Sequence, residues 1–213
     1  MPLELQQLVD DVASCIKRVD ERRPTAANAR TGVPYQPGIG PHSETAAVLL
    51  VTEELVEFSP ERYRNRISLG VSYPNNSREK CDLCIGAAPS WDWAVEVKML
   101  RLLGDNGKPN DNMLMHILSP YPAHRSALTD CPKLLRSGLH GRKAILIYGF
   151  DYPSWPMNPA IRAFEALARI EVALGARAES SFADLAHPVH ERGRVLGWEV
   201  QPKAASPDQT EAG

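Results

Sequence analysis

Four side chains have the types and spacing to act together: Glu44 in "HSETAAVLL", Asp82 in "KCDLCIG", and Glu96 with Lys98 in "WDWAVEVKML". The last stretch otherwise reads as a buried strand, and the period of 2 places Glu96 and Lys98 on one face of it. If the Asp82 stretch runs antiparallel beside it, Asp82 and Glu96 come within reach of one divalent ion. Carboxylate oxygens suit a hard cation such as Mg²⁺, with Mn²⁺ as a substitute; Mg²⁺ keeps several waters and uses one or two protein carboxylates plus substrate phosphate. Such an ion lowers the pKa of a bound water and offsets charge on an attacked phosphate. Lys98 would then orient or deprotonate that water, or stabilise the developing negative charge. A lysine beside two carboxylates stays charged until a metal offsets them, which favours the orienting role.

These residues need elements to hold them. Leu3, Leu5, Leu8, Val9, Val12 and Ile16 recur at helical spacing, so a first amphipathic helix is expected over 3–20. Proline and glycine then break every pattern through "RRPTAANARTGVPYQPGIGPH". A second helix should start at an N-cap, Ser43, carry Glu44 in its first turn and stop before Pro60, with one further turn at "SPER". The period then changes to 2. Strands are expected at 66–73, 80–86 and 91–100, joined by "PNNSRE" and "AAPS" as an antiparallel meander. "GDNGKPNDN" reads as a polar loop, and "HRSALTDCPKLLRSGLHG" as a helix interrupted near Pro132. "KAILIYGF" is a continuous apolar run of the kind found mid-sheet, "NPAIRAFEALARIEVALGA" a strong amphipathic helix, and "RVLGWEV" a late strand. Three strands followed by a crossover helix and a strand imply an α/β fold, a central mixed sheet flanked by helices.

The chain has 213 residues, enough for one substantial core, and its 43% hydrophobic and 23% charged shares are those of a soluble globular protein. A single domain over 1–200 is expected, with a disordered tail over 201–213. No apolar run approaches the roughly 20 residues that cross a bilayer, and the N-terminus lacks the basic-then-apolar order of a signal peptide, so a cytoplasmic location is expected. With 24 basic and 26 acidic residues, the formal charge of −2 gives no global signature of a nucleic-acid binder. Local clusters such as Arg62, Arg64 and Arg66 can still meet phosphates.

On these residues and this order of elements the chain resembles the PD-(D/E)xK, or restriction-endonuclease-like, nuclease superfamily. Its core runs αβββαβ, with an aspartate on the second strand and Glu-x-Lys on the third. Asp82 and Glu96-Val97-Lys98 match, with thirteen intervening residues, and Glu44 matches a glutamate that many members carry on the first core helix. The resemblance spans about 42–150. Cys81 stands where the proline of the family name would be. What it implies is a Mg²⁺-dependent endonuclease acting on double-stranded DNA, with Asp82, Glu96 and Glu44 as metal ligands and Lys98 at the water. The size and the lack of a P-loop point to a stand-alone type II restriction endonuclease. Cutting both strands of a palindrome would need two copies about a twofold axis, hence a homodimer. A structure-specific repair or recombination nuclease is one alternative. A non-catalytic binding or assembly protein is another.

Blander readings compete. A bare Glu-x-Lys arises by chance on the order of once per 300 positions, and an unselected one is usually a surface ion pair on an edge strand. Against that, Trp93, Val95, Val97 and Met99 fill the opposite face of the same stretch. Glu44 also suits the first turn of any helix. Cys81 and Cys84 form a CxxC, but in a regular strand they face opposite ways, and buried reduced thiols are expected. His42, His116, His124 and His140 lack metal-ligand spacing. His124, Arg125, Lys108 and Asn112 are weaker candidates for phosphate contact. Trp91, Trp93, Trp155 and Trp198 read as core or interface residues.

Overall fold

The structure, a computed structural model, describes residues 3–110 and 112–204. It is an α/β fold built on a seven-stranded mixed sheet with helices on both faces. The helices are α1 (Leu5–Glu21), α2 (Glu44–Phe58), α3 (Pro60–Tyr63), α4 (Met115–Leu118), α5 (Ala127–Leu135) and α6 (Asn158–Glu171). The strands are β1 (Ile67–Tyr73), β2 (Asn76–Ala87), β3 (Ser90–Leu100), β4 (His140–Phe150), β5 (Ala173–Leu174), β6 (Ala178–Phe182) and β7 (Gly193–Gln201). The order across the sheet is β1-β2-β3-β4-β7-β5, with β6 also on β7. Among the described residues only β3 and β4 run parallel; α5 makes the crossover between them that a parallel pair requires. No helix among the described residues is long and apolar enough to cross a membrane.

The apolar stripe of α1 covers one face. Leu8, Val9, Val12 and Ile16 are buried there beside Ala47, Val51 and Leu55 of α2, against Leu83, Val97 and Leu146 of the sheet. The Trp93 indole N–H donates to the Leu3 carbonyl at 2.8 Å, fixing the start of α1 on β3. Helices α5 and α6 lie on the other face. The "KAILIYGF" run does sit mid-sheet as β4, between β3 and β7, which explains why it is apolar on both faces.

Some local expectations change. Pro132 does not interrupt α5: the nine-residue helix, capped by Ser126 accepting from the Thr129 N–H at 3.2 Å, runs through it. Buried Cys131 and Leu134 on either side anchor that turn, and the helix goes without one backbone hydrogen bond. The β1–β2 turn is only Pro74–Asn75, so β2 starts at Asn76 rather than 80. Gln201 closes β7 instead of opening a tail; the rest of the expected tail, from 205, lies outside the described residues. The short α4, β5 and β6 were not legible in the periodicity.

Candidate active site

The site forms where two strands part. β2 and β3 pair from the hairpin at Ala87/Ser90 back to Leu83/Val95, and there the ladder stops while β3 continues to Leu100 beside β4. On its β2 side, β3 therefore has N–H groups with no strand to receive them. Two carboxylates take that place: Asp82 Oδ2 accepts from the Val97 N–H at 2.8 Å, and Glu44 Oε2 from the Met99 N–H at 2.6 Å. The registration of β2 fixes the first. The second depends on the N-cap at Ser43, whose Oγ accepts from the Ala46 N–H at 3.3 Å and starts α2 with Glu44 turned onto β3.

Lys98 lies between them. Its Nζ is 3.9 Å from Asp82 Oδ2, 4.0 Å from Glu44 Oε1 and 2.8 Å from Asp130 Oδ2 on α5. The other Asp130 oxygen is 2.6 Å from Lys133 Nζ, which also reaches Glu96 Oε1 at 3.2 Å. The Tyr73 hydroxyl donates to that same Glu96 oxygen. Glu96 and Lys98 are thus both buried, at 1% and 7% exposure, so the reading as a surface pair fails even though β3 has lost its β2 neighbour at this point.

The electrostatics follow from this packing. Burial pushes the Glu96 carboxyl up to about 8, helped by Asp82 and Asp130 and opposed by Lys133. Burial works against the Lys98 ammonium, but Asp130, Glu44 and Asp82 outweigh it and hold the group above the ordinary lysine value. Lys133 is held up in the same way by Glu96 and Asp130. Burial raises Glu44, offset in part by Lys98 and the Met99 N–H. Lys98 is therefore a cation at neutral pH, fit to orient or stabilise rather than to abstract a proton.

The group opens into a cleft of about 490 Å³, a size suited to a nucleotide-sized group. Asp82, Glu96, Lys98, Asp130 and Lys133 line its floor, Arg78, Lys80, Arg125 and Arg136 stand around it with Glu79 and Glu171, and Glu44 is not among its lining residues. Among the described residues none of these four cations has a carboxylate within 4.0 Å. Asp82 and Glu44 fit a hard cation chemically: each is anchored through one oxygen by a backbone N–H and is a third or more exposed. Glu96 is committed to Tyr73 and Lys133. Among the described residues, the oxygens of Glu44, Asp82 and Glu96 do not draw together within 4.8 Å as one group.

Of the expected site residues, the fold gathers Glu44, Asp82, Glu96 and Lys98. Asp130, Lys133 and Tyr73 were missed, yet Asp130 carried a signal: it falls on the α5 stripe of Ala127, Cys131 and Leu134, where an unpaired charge would be untenable. The arginine cluster disperses, since Arg62 pairs with Asp11 and Arg66 with Asp92. Arg125 borders the cleft, whereas Lys108, Asn112 and His124 are not among its lining residues. Cys81 and Cys84 are free and buried as expected, but they share one cluster with Tyr73 and Leu134 instead of facing opposite ways. The Cys81 Sγ lies 3.5 and 3.4 Å from the Leu83 and Val95 carbonyls. No family model, curated protein or solved structure matches the chain.

Proposed function

We propose that this protein is a Mg²⁺-dependent endonuclease that hydrolyses phosphodiester bonds in double-stranded DNA, and that its setting is that of a type II restriction endonuclease. The observation that carries the reading is the trio on β3: Asp82 and Glu44 hung on the Val97 and Met99 N–H groups, with the Lys98 ammonium 3.9 and 4.0 Å from their oxygens, and Asp82 and Lys98 lining a cleft that Arg78, Lys80, Arg125 and Arg136 border. Asp82 and Glu44 would hold the ion, with Glu96 joining them by leaving Lys133. When bound, the ion supplies an acidified water and neutralises phosphate charge.

The chain's own groups do the rest. Lys98, its ammonium between the two carboxylates, can hold a water by hydrogen bond or stabilise the charge that builds on the attacked phosphoryl oxygen. Asp130 and Lys133 keep Lys98 in place. Arg78, Lys80, Arg125 and Arg136 would take the backbone phosphates on either side, a sequence-independent hold. Action on both strands of a short palindrome requires a second copy about a twofold axis, so a homodimer belongs to this reading.

The test is incubation of the purified chain with plasmid and phage DNA in Mg²⁺, beside Asp82→Ala, Glu96→Ala and Lys98→Ala. Cleavage by the native chain alone is expected, and discrete fragments rather than a smear would place it with restriction rather than repair. A second reading has its own observation: the 2.8 Å Lys98–Asp130 pair neutralises the lysine inside the fold, as a purely structural pair would in a non-catalytic binding protein. Equal inactivity of all four proteins over several DNA sources would select that reading.

A further inference from the structure

A second cluster lies beyond the ends of β3 and β4. Asp105, from the loop after β3, meets His187 and His190 of "HPVH", the segment before β7. One ligand atom from each of the three lies within 4.8 Å of the other two. His190 Nε2 is 3.0 Å from Asp105 Oδ1. Two ligands about 2.0–2.1 Å from one tetrahedral zinc stand roughly 3.3 Å apart, so this pair is already near that spacing. The two imidazole rings are stacked, with centroids 4.6 Å apart, and both histidines are buried.

We propose that Asp105, His187 and His190 bind a transition-metal ion, Zn²⁺ by preference, in a site separate from the Mg²⁺ site. The donor set is two imidazoles and one carboxylate, which borderline metals favour over Mg²⁺ and which leaves a fourth position for water. An outer support is in place: His190 Nδ1 is hydrogen-bonded to the Tyr152 hydroxyl at 2.8 Å, the partner that holds a ligating ring in orientation. With metal on Nε2, the neutral ring would carry its proton on Nδ1, which would donate a hydrogen bond to the Tyr152 oxygen. His187 Nδ1 accepts from the Val189 N–H at 3.2 Å, a long bond within its own turn that leaves the ring adjustable.

Among the described residues, the fixed charges around the site are two carboxylates, Asp105 and Asp20, against one guanidinium, Arg101. The Arg101 guanidinium sits 3.5 Å from Asp105 Oδ1, but it is held as well by the Gly40 carbonyl at 2.5 Å. Buried Asp20 adds a second negative charge beside His187 while accepting from the Ile39 and Ala186 N–H groups at 2.8 and 2.6 Å. The backbone closes in around the rings: a Cβ on Gly40 would fall 2.6 Å from His190 Cβ, and one on Gly38 3.2 Å from the His187 nitrogen. An ion here would join segments 82 positions apart, 105 and 187, and through Arg101 and Gly40 it would brace the approach to Glu44.

The test titrates the full chain, stripped with chelator, with Co²⁺ as an optical stand-in and then with Zn²⁺. The expected result is a strong visible ligand-field band that saturates at one equivalent, is abolished by Zn²⁺ and survives in Asp82→Asn. The band should be lost in Asp105→Asn and in His187→Asn, each checked by circular dichroism for a native fold. Zn²⁺ should also raise the thermal midpoint of the native chain and not that of Asp105→Asn. A native chain with no band, or a band unchanged by Asp105→Asn or lost in Asp82→Asn, overturns the proposal, and it does so whatever the nuclease assay gives.

Discussion

The two faces of β3 are buried to the same degree and held by opposite physics. On one, Trp93, Val95, Val97 and Met99 are buried in the apolar core, Val97 beside Val12 and Ile16 of α1 and Val51 and Leu55 of α2. Each such side chain contributes on the order of 1.5–3 kcal/mol by leaving water. On the other, Glu96 and Lys98 meet Tyr73, Asp130 and Lys133, and buried ion pairs roughly break even against their desolvation. The first face explains why the strand folds. The second adds little to folding, so its composition is better understood through what the charges can do at the cleft.

That contrast is sharpest at Lys98. Lys98→Ala should lower single-turnover DNA cleavage by on the order of 10²–10³-fold or more, the scale of effect when one aimed charge is removed from a developing anion. DNA binding, measured by filter retention, should change by only a few fold. Lys98→Arg should restore little, since a planar fork does not replace a point charge among three carboxylates. A variant that cuts normally would leave the charged face with no function to explain it.

The apolar face should respond in stability instead. Trp93→Ala removes a fully buried indole and its 2.8 Å bond to Leu3, and should cost about 3–5 kcal/mol in urea unfolding. The rate per folded molecule should be unchanged at a temperature where the variant remains folded. Asp130→Asn is the intermediate case. It leaves Lys98 and Lys133 short of a shared anion, at a cost of about 3 kcal/mol, and it should lower the cleavage rate too. If it alters stability alone, Asp130 does not position the lysine.

The same contrast sets what could be read from the sequence. The mixed sheet and its helices were legible because the apolar side follows periods of 2 and 3.6, and Glu96 and Lys98 stood out by breaking one of them. Asp82 and Glu44 were legible by type and place. Their anchoring was not, because it arises from the ladder ending at Leu83/Val95, a three-dimensional event with no local pattern. Asp130 left a trace, on the apolar stripe of α5 with Ala127, Cys131 and Leu134, but Lys133 was hidden: on an amphipathic helix charged residues are ordinary, and only the packing of α5 on β3 shows that it points inward. His187 and Asp105, far apart in sequence, carried no spacing signal at all.

Glu96 allows a sign test of the charged face. Its carboxyl, raised from 4.5 to about 8 by burial and then by Asp82 and Asp130, keeps in the folded chain a proton that the unfolded chain loses. Its contribution to stability is therefore full below about pH 4.5 and disappears as pH rises through about 8. With chelator present, the urea midpoint of the native chain should fall between about pH 5 and pH 8, and Glu96→Gln should flatten that fall. A midpoint that rises over the same range in the native chain would mean that Lys133 keeps Glu96 ionised.

The smallest effect separates the floor of the cleft from its rim. Arg125 and Arg136 border the cleft without a carboxylate partner within 4.0 Å among the described residues, so removing either should leave stability within about 0.5 kcal/mol. For duplex DNA, every phosphate that a protein no longer neutralises makes the slope of log affinity against log salt shallower by about 0.9. Arg125→Ala and Arg136→Ala should each weaken binding a few fold at low salt, equally for unrelated sequences, with the slope shallower by the equivalent of about one phosphate and the cleavage rate at saturating DNA unchanged. A change in which DNA is cut would instead assign that arginine to base readout, and a change in rate at saturation would move it from the rim to the chemistry beside Lys98.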